Sequence, residues 1–255
     1  MFTDTHTHPN LTSDPEGIVR RAIGAGVDRL IIPGVNIESF NSMNDLFTKF
    51  PENIRLAYGI HPSEVQEETE VYALRDVLRS YLKNSPANSL IAIGEIGIDL
   101  YHDRTFKEKQ LVAFDEQLNL AEEINLPVII HCREALEETL EVLQGHKSIP
   151  AVFHSFGGNA TDVERILNAG NYFFGINGIV TFKNSNLRNV ISLIPKEKIL
   201  LETDTPYLAP VPYRGRQNES AYIPLIAKTV SEVLKTSVDE VAMLTRTNSE
   251  TLFGF

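Results

Sequence analysis

Two histidines stand two residues apart near the start of the chain, His6 and His8 in Asp-Thr-His-Thr-His. In an extended strand, residues i and i+2 point to one face, so both imidazoles are expected to reach a single ion. Four further polar groups each close an apolar run: Glu95 in Gly-Glu-Ile-Gly-Ile-Asp, His131 in His-Cys-Arg-Glu, His154 in His-Ser-Phe-Gly and Asp204 in Glu-Thr-Asp-Thr-Pro. Any one of these histidines alone reads more simply as a capped strand end. Together, four imidazoles and two carboxylates exceed the donor set of one tetrahedral metal. A two-metal site with Glu95 as the bridge is the natural reading. Mixed nitrogen and oxygen donors suit Zn²⁺ or Mn²⁺, and suit Mg²⁺ less at the histidine-rich position. A polar network with no ion is the competing reading, and it would carry a large desolvation cost.

The elements that must gather these residues are legible as a rhythm. Short apolar runs recur at Leu30–Pro33, Ile54–Ile60, Leu90–Ile93, Pro127–Ile130, Pro150–Phe153, Tyr172–Ile176 and Ile199–Leu201, after a first strand at Phe2–His6. Runs without alternation suit parallel strands buried on both faces. Between them lie amphipathic segments with helical spacing, at Glu64–Leu82, Phe106–Ile124, Leu136–Leu143 and Val163–Leu167. Eight strand–helix units in 255 residues match the size of a (β/α)8 barrel. A doubly wound open sheet would put a glycine-rich turn after the first strand, where this chain has His-Thr-His-Pro-Asn. In a barrel every strand end opens onto one mouth, and five of the seven histidines lie at such ends. No linker or fixed-period repeat divides the chain, so one domain over residues 1–255 is expected. Tyr207–Tyr222, the longest stretch without periodicity, reads as a functional loop or lid.

Composition narrows the partners. With 34 acidic against 23 basic residues the net charge is -11, so nucleic acid cannot be held on a broad basic surface. A phosphate ligand would need a metal or a small basic cluster. Arg133, Arg214 and Arg216 are the candidate phosphate contacts, since guanidinium bonds phosphate in bidentate fashion. His61 either donates to a phosphate or caps its own loop. Tyr207 and Tyr213 either stack on a base or pack their loop, and packing is the preferred reading. His102 and His146 read as surface residues and Cys132 as core packing. Asp4 either orients a ligand imidazole or simply begins its strand. The single cysteine excludes an internal disulfide and suggests a reducing, cytoplasmic setting. The N-terminus lacks the features of a signal peptide, and no run approaches the ~18 apolar residues of a membrane span.

The segments quoted so far occur in order across nearly the whole chain. Together with Gly59-Ile-His-Pro62, Glu202-Thr-Asp-Thr-Pro-Tyr-Leu208 and Arg214-Gly-Arg-Gln-Asn218, they resemble the TatD-type metal-dependent deoxyribonucleases of the amidohydrolase superfamily. The resemblance implies a barrel that hydrolyses DNA phosphodiesters, as an exonuclease acting on single strands or ends. It implies divalent metal held by His6, His8, Glu95, His131, His154 and Asp204. Asp204 and Glu95 would be the catalytic carboxylates, Asp204 taking the proton from the attacking water. Small departures occur after His131, after His154 and at Ser220, and none falls on an implied ligand. Alternatives on the same barrel are an esterase acting on aminoacyl-tRNA and a small-molecule ester or amide hydrolase. The lysine-bridged members of the superfamily are disfavoured, because Glu95 stands where they carry the lysine. No obligate protein partner and no membrane partner is implied.

Overall fold

The apolar runs assemble into a parallel ladder that follows chain order. In the computed structural model, which describes residues 1–255, eight strands each pair with their chain neighbours. They are β1 (Phe2–Asp4), β2 (Val27–Pro33), β3 (Ile54–Tyr58), β4 (Leu90–Asp99), β5 (Val128–Arg133), β6 (Ala151–Phe153), β7 (Tyr172–Ile176) and β8 (Ile199–Leu201). The two edges meet: the Thr5 amide donates to the Leu201 carbonyl at 3.0 Å, and the Asp204 amide to the His6 carbonyl at 2.9 Å. Nine α-helices fall between or after the strands: α1 (Pro15–Gly24), α2 (Ile37–Lys49), α3 (Leu74–Asn84), α4 (Lys107–Ile124), α5 (Leu136–Leu143), α6 (Ala160–Ala169), α7 (Leu187–Ile191), α8 (Ile223–Leu234) and α9 (Val238–Phe253). The expected (β/α)8 barrel is the fold. No helix is long and apolar enough to cross a membrane.

Strand alternation sorts the buried side chains into two clusters. Leu30, Ile32, Val128, Ile130, Tyr172 and Phe174 pack outward with the helices. Ile31, Ala57, Ile129, Val152, Phe173 and Leu200 fill the barrel interior, joined from α9 by Leu252 and Phe253. The C-terminal aromatics therefore plug the floor of the barrel. Apolar residues on both faces explain why these strands show no alternation in sequence.

Among the boundaries that differ from the sequence reading, three have a clear local reason. β1 stops at Asp4, so His6 and His8 stand in the bend beyond it rather than on an extended strand. β4 runs on past Ile93 to Asp99, pairing Gly97 with His131 and Asp99 with Arg133 on β5. Polar Glu95 and Asp99 had ended the apolar signal early. The segment expected as one helix over Glu64–Leu82 contains the 3₁₀ turns Pro62–Glu64 and Val71–Ala73, and only then α3. Glu67, Glu68 and Glu70 crowd like charges where a helix would need an apolar stripe. The loop after β8 is tied down: Asn218 is fully buried and its side-chain amide donates to the carbonyls of Thr203 (2.7 Å) and Tyr207 (2.6 Å).

Candidate metal centre

The polar strand ends converge at the mouth around one carboxylate. Glu95, 3% exposed in the middle of β4, turns its two oxygens toward different donor groups. Its Oε2 lies 3.1 Å from His6 Nε2 and 3.7 Å from His8 Nε2. Those two nitrogens are 3.0 Å apart, and Asp204 Oδ1 sits 3.8 and 3.9 Å from them. The other oxygen, Oε1, lies 2.7 Å from His131 Nδ1, 2.8 Å from His154 Nε2 and 3.4 Å from His61 Nε2. His131 Nδ1 is in turn 3.1 Å from His61 Nε2 and 3.3 Å from His154 Nε2. Donors bound at 2.0–2.2 Å to a tetrahedral cation stand about 3.3–3.6 Å apart. Both groups cluster around that spacing.

The electrostatics favour cations here. Burial would raise Glu95, but the fields of His154, His6 and His61 and the His131 hydrogen bond outweigh it and hold the carboxylate well below its usual range. Burial pushes His6 well below the ordinary imidazole value, aided by His154, and takes His8 down to about 4. Burial likewise lifts Asp204 to about 8. Burial works against a proton on His154 and His131 too, yet Glu95 and Glu202 carry His154 well above its usual value, and Asp99 and Glu95 raise His131. His6 Nδ1 and His8 Nδ1 are buried without a hydrogen-bond partner. Two neutral imidazoles that face each other through Nε2 can share at most one proton, whereas a cation satisfies both lone pairs. The donor set fits divalent metal.

The structure brings His6, His8, Glu95, His131, His154 and Asp204 together. It also adds residues that the sequence reading did not assign to this cluster. His61, read as a phosphate donor or loop cap, does cap: its Nδ1 accepts from the Ser63 amide at 3.1 Å. Its Nε2 at the same time joins the donors around Glu95 Oε1. Asp99 Oδ2 lies 3.0 Å from His131 Nε2, on the far side of that ring from Glu95. Glu202 Oε1 lies 3.6 Å from His154 Nδ1 and accepts from the Ser155 amide at 2.5 Å. A Cβ on Gly175 would come within 2.1 Å of Glu202 Oε2, so glycine makes room for this fully buried carboxylate. Carboxylates thus back two of the three histidines of one group, as outer partners of metal-bound imidazoles commonly do. Asp99 shares a motif with Glu95, and Glu202 stands two before Asp204; those spacings were the available signals. Asp4 touches no imidazole. It accepts from the amides of Thr203 (2.9 Å) and His6 (3.3 Å) and from Thr203 Oγ1 (2.6 Å), and burial lifts it to about 7.

The surrounding cavity of about 640 Å³ is lined by His8, His61, Glu95, His131, His154 and Asp204, and at its rim by Leu11, His102, Arg133 and Tyr207. Arg133 lies over the Tyr101 ring at 3.8 Å, with Nη1 4.0 Å from Asp99 Oδ2. Tyr207 is 58% exposed, so it is a rim residue rather than loop packing. Tyr213 does pack, stacked on Tyr222 at 4.3 Å. Arg214 and Arg216 do not line the cavity, because their loop carries them outward, and the Arg214 guanidinium lies over Phe182 at 4.4 Å. His102 is exposed as expected. His146 is not: it is 5% exposed, 3.0 Å from Asp115 Oδ1, because the turn after α5 lays it on α4. Cys132 packs against the outer core, and burial lifts its thiol to about 11.

Comparison with known proteins identifies the lineage of this site. The family profile described as TatD related DNase matches residues 3–254. The chain belongs to that family. It is 33% identical over 260 residues to the metal-dependent hydrolase YabD of Bacillus subtilis, covering 99% of each. It is 35% identical over 261 residues to the 3'-5' ssDNA/RNA exonuclease TatD of Escherichia fergusonii, covering 96% of each. Among solved structures, the TatD homolog YjjV of Escherichia coli K12 matches with a TM-score of 0.91 at 31% identity, over 100% of this chain and 98% of that one. The Escherichia coli phosphotriesterase homology protein shares the fold at 13% identity and a TM-score of 0.72. The chain is therefore a TatD-family metal-dependent hydrolase.

Proposed function

We propose that this hydrolase cleaves phosphodiester bonds of DNA, working from the end of a single strand, with two divalent cations at the mouth. The carrying observation is that each Glu95 oxygen faces its own donor group, Oε2 toward His6, His8 and Asp204 and Oε1 toward His131, His154 and His61. In this reading His6, His8 and Asp204 would hold one cation and His131, His154 and His61 the other, with Glu95 shared between the two groups. Divalent cations, when bound there, would supply Lewis acidity toward water and the phosphoryl oxygens. Asp204 accepts the proton of the attacking water at its carboxylate, and the sugar oxygen leaves phosphorus as the new bond to water oxygen forms. Arg133, steadied by Tyr101 and Asp99, orients the phosphate at the rim. Asp99 and Glu202 fix the rings of His131 and His154 from behind. The activity in the name of the TatD relative agrees with this substrate class.

The test is hydrolysis of an end-labelled single-stranded DNA oligonucleotide by purified protein, in EDTA and with added Mg²⁺, Mn²⁺ or Zn²⁺, beside Asp204→Asn. Stepwise shortening that needs metal and is lost in the variant is expected. Bound metal by elemental analysis with no cleavage under any condition overturns the nuclease reading and leaves an ester or amide hydrolase.

A further inference from the structure

The loops beyond the rim carry cations that the metal centre does not use. The loop after β7 and the loop after β8 leave the cavity at Ile179 and at Tyr207–Leu208. From there they run together. A Cβ on Gly178 would come within 2.1 Å of the Leu208 carbonyl, so the two backbones meet where only glycine fits. The Val211 amide donates to Thr181 Oγ1 at 2.9 Å. Arg214 closes the contact by lying over Phe182, and the Tyr213–Tyr222 stack pins the loop from behind. Lys183, next to Phe182, is exposed, as are Arg214 and Arg216.

These three cations share one property. None of them has a carboxylate within ion-pair reach. Elsewhere some cations are paired, as Arg21 with Asp14 and Glu219, Lys107 with Glu138 and Arg246 with Asp28, and others are single and dispersed, whereas these three share two loops that touch. In a chain of net charge -11, three unpaired cations on two mutually locked loops form a local positive field beside an acidic surface. The exposed Tyr207 lines the cavity that holds the donors and lies on the same loop as Arg214 and Arg216.

We propose that Lys183, Arg214 and Arg216 form an outer track for the phosphate backbone of the substrate strand, one or more nucleotides beyond the cut, reached across Tyr207. This rests on the nucleic-acid reading above and adds to it where the uncut strand lies. Locked loops suit the task, because a preorganised cation loses little freedom on binding. Arg214 held on an aromatic face still presents its guanidinium edge to a phosphate. Tyr207 offers one face on which a base can stack. The track explains how so acidic a protein holds a polyanion: the metal centre takes the scissile phosphate, and this patch takes the next ones.

The experiment compares wild type with the triple variant Lys183→Ala, Arg214→Ala, Arg216→Ala on a dinucleotide and on a single strand of about 20 nucleotides, a span comparable to extended single-strand grooves. The ratio of KM values between the two lengths is the readout, at several salt concentrations. The expected result is that the long strand loses its advantage, with KM rising about tenfold and the slope of log KM against log salt falling by about 2, near 0.7 per lost contact. The charge-preserving pair Arg214→Lys, Arg216→Lys should keep the wild-type slope. An unchanged ratio and slope overturn the track. So does an equal loss on both lengths, which would put the residues at the scissile phosphate. A fluorescence-anisotropy arm with the labelled long strand in EDTA separates the two readings. Weakened binding by the variant there, with no cleavage by wild type when metal is supplied, keeps the track and removes the nuclease; no binding by wild type in EDTA overturns the track and leaves the nuclease to the cleavage assay.

Discussion

The two ends of the barrel are built on opposite principles. At the floor, Ile31, Ala57, Ile129, Val152, Phe173 and Leu200 meet Leu252 and Phe253 of α9, with Phe255 packed against them. Every group there is apolar, and burial is favourable without any partner beyond close packing. At the mouth, His6, His8, Glu95 and His154 are almost as deeply buried, yet all are polar or titratable. Ring nitrogens of His6, His8 and His154 and one oxygen of Glu202 find no hydrogen-bond partner. Unmet polarity in a buried site costs roughly 1–3 kcal/mol per group. The floor therefore supplies stability, and the mouth gives some of it up to gather imidazoles and carboxylates around Glu95.

The sharpest way to break this comparison is to remove Glu95, the one residue common to both donor groups. Glu95→Ala is expected to lower metal-dependent kcat/KM by about a thousandfold or more, because every cation contact changes at once. Circular dichroism should show the barrel intact. Wild-type turnover in that variant would end the bridging role. Adding divalent metal to metal-free protein should raise the Tm of wild type, with about 2.7 kcal/mol gained at a hundredfold excess over Kd. Thermal scans of Glu95→Ala should show little of that gain.

The reverse substitution belongs at the floor. Phe253→Ala should cost about 3–5 kcal/mol by opening a cavity against the interior cluster, read by urea unfolding. Activity per folded molecule should stay near wild type. A change in metal affinity would mean that floor and mouth are coupled through the barrel.

A smaller effect is expected behind the donors. Asp99→Asn should weaken metal binding about 10–100-fold by titration calorimetry, since His131 loses the charge that fixes its ring. Glu202→Gln should act similarly through His154. Unchanged affinity in both variants would leave these carboxylates a purely structural role. The smallest effect concerns neither end. Ser237 caps α9, accepting from the Glu240 amide at 3.1 Å while Glu240 bonds back to the Ser237 amide at 2.9 Å. Ser237→Ala should cost about 1 kcal/mol in denaturant with no change in kcat.

The donors were legible because each closes an apolar run, and a parallel barrel sends every such end to one mouth. His61 was legible as a polar strand end but not as a donor, since its loop alone decides whether Nε2 turns inward. The roles of Asp99 and Glu202 were hidden for a similar reason. Asp99 reaches His131 because β4 continues through Gly97 beside β5, and Glu202 reaches His154 because Gly175 leaves space. His146 was misread as a surface residue because burial on another helix leaves no mark in local polarity.

The order of apolar runs and polar ends, read from the residues themselves, determined the barrel and the six converging donors. Period and hydrophobicity are properties of neighbouring residues, so they survive in a linear string. Only the tertiary structure decided which oxygen of Glu95 faces which histidines, which carboxylates stand behind the rings, and that Arg214 and Arg216 lie outside the cavity. Those depend on distances between residues far apart in the chain, and such distances are set by packing.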